Sequence, residues 1–94
     1  MKTKATFPTA RGAALLGTMA KHFGHKVPVT TEACRAEIRF DAGLAIIAET
    51  PEGLALSVET ADAAAQAQLQ SVVESHLLRF AHREDPAPLI WSAA

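Results

Sequence analysis

The chain has no tyrosine, one tryptophan and one cysteine among its 94 residues. A lone thiol, Cys34, excludes an internal disulfide and the paired-cysteine motifs of redox and zinc sites. Aromatic residues make up only 5% of the chain, so its core must be aliphatic. Charge of one sign is also missing. Nine Lys and Arg face ten Asp and Glu, for a net charge of −1, and no block of five like charges occurs. The electrostatic footprint of a phosphate-backbone reader is therefore absent, and nucleic acid is not an expected partner. No apolar run approaches the roughly 20 residues of a membrane span, and the first residues lack the apolar stretch of a signal peptide. A cytoplasmic location with no membrane partner is the expectation. Glycine-rich phosphate loops, nucleophile elbows and metalloprotease-type histidine pairs are missing too, so neither enzymatic activity nor a cofactor is expected.

What is present is one domain, residues 1–94. Apolar residues form 49% of it, and a chain of this length buries roughly 60–65% of its extended surface. Lys2 to Phe7 alternates with period two and reads as a strand, its lysines suiting a sheet edge. Thr9 is placed to N-cap a helix from Ala10. Leu15, Met19 and Phe23 follow at steps of four, with Leu16 and Ala20 beside them, and Gly24 closes the helix. Lys26 to Thr30, interrupted by Pro28, fits a short edge strand.

From Cys34 onward the alternation sharpens. Cys34, Ala36, Ile38 and Phe40 point one way, and Arg35, Glu37 and Arg39 the other. Asp41-Ala42-Gly43 and Pro51-Glu52-Gly53 read as three-residue hairpin loops with glycine in the left-handed position. Such loops pair Phe40 with Leu44, Ile38 with Ile46, and Ile46 with Val58, and set Ala48 between Ala36 and Leu56. The other face then carries Arg39, Ala45 and Glu59; Glu37, Ile47 and Ser57; and Arg35, Glu49 and Ala55, with Arg35 paired to Glu49.

Thr60 is placed to N-cap a second helix running to about Arg83, with Leu69, Val73, His76, Leu77 and Phe80 as its inner stripe. Glu74, Arg79, Arg83 and Glu84 read as its solvated charges. Asp85-Pro86-Ala87-Pro88 breaks the pattern before a last strand, Leu89-Ile90-Trp91. The fold class is α+β: a two-layer sandwich in the order β-α-β-β-β-β-α-β, with two helices on one face of an antiparallel sheet.

Few residues carry obvious chemistry. Lys21, His22, His25 and Lys26 crowd the end of the first helix, where positive charge suits the dipole. With Arg79 and Arg83 they form a candidate surface for an anionic group or a partner. His22, His25 and His76 are the alternative candidates, as ligands of a metal or haem, if the two helix ends converge. His82 lies about 240° around the helix from His76 and cannot join it locally. Cys34, on the apolar side of a strand, reads as a buried, inert thiol. The charged outer sheet face is the third candidate surface, for a structural homodimer.

The segments His22-Phe23-Gly24-His25-Lys26-Val27-Pro28-Val29 and His76-Leu77-Leu78-Arg79-Phe80-Ala81-His82-Arg83-Glu84 resemble a bacterial domain-of-unknown-function family. That family occurs alone and beside or fused to siderophore-interacting flavin reductases. The resemblance extends over nearly the whole chain, including the Ala61-Asp62 helix start. It implies a fold similar to the TATA-binding-protein-like arrangement and a non-catalytic accessory or interaction domain linked to ferric-siderophore handling, with such a reductase as partner. It supplies no catalytic residues.

Overall fold

The computed structural model describes residues 1–94. Its elements are β1 (Lys2–Pro8), α1 (Gly12–Gly24), β2 (Val29–Glu32), β3 (Arg35–Phe40), β4 (Gly43–Thr50), β5 (Gly53–Thr60), α2 (Ala63–Phe80), a 3₁₀ turn (His82–Glu84) and β6 (Ser92–Ala93). The strands form one antiparallel sheet in the order β2-β3-β4-β5-β1-β6. Both helices pack on the same side of it. The expected two-layer α+β architecture is the one observed, and no helix is long and apolar enough to cross a membrane.

The core lies between the layers. Leu15, Met19 and Phe23 of α1 and Leu69, Val73 and Leu77 of α2 meet Ala36, Ile38, Ala45, Ile47, Leu56 and Val58 of the sheet. The step-of-four spacing in each helix aims these side chains at a single stripe. β1 enters between β5 and β6, so the lysine-bearing first strand is not the edge its composition suggested, and the two-residue β6 forms the edge opposite β2.

Register departs from the expectation by one residue. Phe40 pairs with Gly43 and Thr50 with Gly53, which makes both hairpin loops two residues long, Asp41-Ala42 and Pro51-Glu52. Both glycines are thus strand residues, required because another backbone crowds them. A Cβ on Gly43 would lie 2.2 Å from the Glu59 carbonyl oxygen, and one on Gly53 would lie 2.2 Å from that of Phe7. As a result β4 turns over. Ala45 and Ile47 are buried, while Leu44, Ile46 and Ala48 face outward. Because the shift occurs at both loops, β3 and β5 keep the faces expected of them. Ile46 does not enter the core. Arg35 faces Ala48 instead of Glu49, and its guanidinium lies 3.9 Å from Glu37.

Other departures are local. Asp62 caps α2, its Oδ1 accepting the Ala65 N–H at 2.8 Å. Thr60 is turned inward and donates to Gln66 Oε1 at 2.7 Å. Helix α1 starts at Gly12, preceded by an Arg11 that offers no side-chain cap. Thr9 instead accepts the Arg11 N–H and donates to Glu84. The second strand begins at Val29 because the N–H groups of Lys26 and Val27 are spent on the Phe23 carbonyl at the end of α1. Cys34 sits in the two-residue turn between β2 and β3 and is exposed, since the strand starts only at Arg35. The last strand is Ser92–Ala93 and not Leu89–Trp91. Pro86 and Pro88 hold the preceding segment off the ladder, because proline has no N–H to donate.

Candidate functional site

The two helix ends converge. The His22 ring on α1 lies 4.9 Å, centroid to centroid, from the His76 ring on α2, and 5.4 Å from Phe80. Phe23 sits 4.9 Å from His76 and 5.2 Å from Phe40. Phe23 on the inner stripe of α1 meets His76 of α2 and Phe40 of β3, and His22, next to Phe23 at the edge of that stripe, meets His76 and Phe80. His76 Nδ1 donates to the Val72 carbonyl at 2.6 Å. A carbonyl can only accept, so this contact puts the proton on Nδ1 and leaves Nε2 as the lone-pair nitrogen.

Around the pair stand cations. Partial burial among the aromatic rings, followed by the like charges of His76, Lys26, Arg79 and His25, holds the His22 pKa below its ordinary value of 6.5. No carboxylate opposes this set. The ion pairs of the molecule are Arg11–Glu84, Arg35–Glu37 and Arg39–Glu37, so Lys21, Lys26, Arg79 and Arg83 are all unpaired. The structure therefore brings together His22, His25, Lys26, His76 and Arg79. Lys21 and Arg83 are exposed on the flanks, on α1 and the 3₁₀ turn. No group of three His, Cys, Asp or Glu side chains is placed to hold a metal ion.

The depressed His22 pKa has a definite sign in stability. The unfolded chain takes up this proton near pH 6.5 and the folded chain only at lower pH, so stability is complete above 6.5 and falls as pH drops through that window. Urea midpoints should be lower at pH 5.5 than at pH 7.5. The fall should be smaller in His22→Asn; an identical pH dependence in that variant would remove His22 as its source.

Two polar residues with structural work escaped sequence reasoning. Gln66 is buried; its Nε2 donates to Thr3 Oγ1 and to the Val58 carbonyl at 2.9 Å, tying β1 and β5 to α2. Its place one turn before Leu69 on the inner stripe was the available signal. Glu74 is not a solvated charge. Its two oxygens accept the Leu89 N–H at 3.2 Å and the Trp91 Nε1–H at 2.9 Å, contacts for which the sequence gives no sign.

An open six-stranded antiparallel sheet with two helices on one face, and a paired-histidine, cation-rich corner where the helices end, define a small two-layer α+β domain. Residues 4–92 match the model of the family described as "Uncharacterized protein conserved in bacteria (DUF2218)", and the chain belongs to that family. It is similar to PA4090 from Pseudomonas aeruginosa, solved by NMR, with a TM-score of 0.77 and 25% sequence identity over 97% of this chain and 93% of that one. No curated protein is significantly similar to it.

Proposed function

We propose that this domain is a non-catalytic accessory module that docks an anionic group of a protein partner on the corner formed by Lys21, His22, His25, Lys26, Arg79 and Arg83. The observation that carries the reading is the gathering of cations from both helices with no acidic side chain paired to any of them. Like charges held together this way oppose folding slightly and are relieved by an incoming anion. The sequence resemblance makes a siderophore-interacting flavin reductase the partner to test, and ferric-siderophore handling the process. Titrating such a reductase with the chain should give saturable binding that weakens with salt. Lys26→Glu/Arg79→Glu should lower affinity at least about tenfold, since each lost charge pair at an interface is worth roughly 1 kcal/mol or more. No binding by the unaltered chain, or equal binding by the double variant, overturns the reading.

A metal- or haem-binding role is the second reading. The 4.9 Å approach of His22 and His76 and the free Nε2 of His76 favour it, while the cations around the pair oppose a divalent ion. Tag-free protein carrying stoichiometric metal or haem that is lost in His22→Asn and His76→Asn would replace the first reading with this one.

A further inference from the structure

The arm Pro86–Ala94 is attached to the rest of the molecule in a way that a second copy can reproduce in full. Its anchors are few and all lie beyond the hinge. The Glu74 carboxylate holds Leu89 and Trp91, both of which pack half-buried against the core. Ser92 and Ala93 pair with Lys4 and Thr3, and the Ala94 N–H reaches the Lys2 carbonyl at 3.1 Å. The acceptor surface is made of α2 and β1, and nothing in it depends on which chain supplies the arm.

The hinge is the one strained point of the backbone. Asp85 has φ 50° and ψ 57° and is the only non-glycine residue with positive φ. Aspartate enters that region more readily than most side chains but still at a cost relative to glycine, and Pro86 biases the residue before it toward extended backbone. In the closed arm Asp85 takes this conformation as the residue that ends the 3₁₀ turn, its N–H donating to the His82 carbonyl at 3.2 Å. Opening it releases Asp85 to an extended form, and Pro86 and Pro88 then keep the released hinge straight. Between the hinge and the first anchor at Leu89 lie only Pro86, Ala87 and Pro88, none of which makes a hydrogen bond to the rest of the molecule.

We infer that the arm is exchangeable: two copies of this chain swap residues 86–94, each arm filling the Glu74 and β1 site of its partner to give a symmetric dimer. Strain relief at Asp85 favours exchange, and the high local concentration of a chain's own arm opposes it. The dimer should therefore form at high protein concentration or after warming close to the unfolding transition.

The β1–β6 register supplies the test. Lys4 and Ser92 are paired and exposed, and facing residues in an antiparallel ladder lie within disulfide reach. In the Cys34→Ser background, Lys4→Cys/Ser92→Cys is incubated at about 1 mM, and monomer and dimer are separated by gel filtration and oxidised. The monomer should yield a chain cross-linked within itself, and the dimer a covalent dimer. Asp85→Gly, which removes the Cβ from the left-handed hinge, should reduce the dimer share several-fold. A chain that stays monomeric after warming, or a dimer whose oxidation links each chain only to itself, overturns the inference.

Discussion

Gly53→Ala is expected to destabilise the domain by about 3–5 kcal/mol, the range in which single substitutions have a named steric cause. Gly53 opens β5 opposite Pro8 and Thr50. With φ at 148°, a Cβ there would lie 2.2 Å from the Phe7 carbonyl oxygen and 2.6 Å from the Thr9 nitrogen. Both atoms belong to backbone that is itself fixed, since Phe7 is core and Thr9 donates its N–H to the Glu52 carbonyl. Neither can yield without loosening β1 from β5. A domain of this size has only about 5–14 kcal/mol of net stability, so the loss should show as a large shift in the denaturation midpoint. Gly17→Ala is the control. Gly17 is exposed on α1 with open space at the Cβ position, and alanine there should stabilise by about 0.5–1 kcal/mol. Similar effects at the two sites would contradict the packing described for β5.

Truncation of two neighbouring isoleucines should give unequal results. Ile47 is fully buried between Ala36 and Leu56, and Ile47→Ala should cost about 2–5 kcal/mol through lost burial and the cavity left behind. Ile46 looks outward between Glu37 and Ser57 and is half-exposed, so Ile46→Ala should cost about 1 kcal/mol or less. Equilibrium unfolding of the two variants settles the register of β4, because pairing through three-residue loops reverses the order.

These isoleucines also mark where sequence reading stopped. In β3 the outward Arg35, Glu37 and Arg39 fix the inward face without ambiguity. β4 reads Leu44-Ala45-Ile46-Ile47-Ala48, apolar at every position, so either face satisfies the hydrophobic pattern and the loops must decide. Glycine at the third position after Phe40 and after Thr50 is compatible with a left-handed loop residue and equally with a first strand residue pressed against another backbone. Only the neighbouring strand separates the two. Cys34 moved from core to turn for a related reason: alternation shows which residues share a face and does not show where pairing begins.

The candidate site divides in the same way. Lys21, His22, His25 and Lys26 at one helix end, and Arg79 and Arg83 near the other, were legible as clusters because each is contiguous or one turn apart. That His22 and His76 come within 4.9 Å depends on how α1 and α2 pack across the sheet. The capture of Leu89 and Trp91 by Glu74 depends on where an arm with no periodicity comes to rest.

The amino-acid order alone determined the layers, the number and sequence of elements, and the inner stripe of each helix, because local periodicity has to match a repeat of 3.6 or 2 wherever one side is polar. Tertiary structure decided the face of β4, the meeting of the histidines and the course of the last nine residues. Each of these turns on a contact between segments far apart in the chain, and the local pattern there satisfies more than one arrangement.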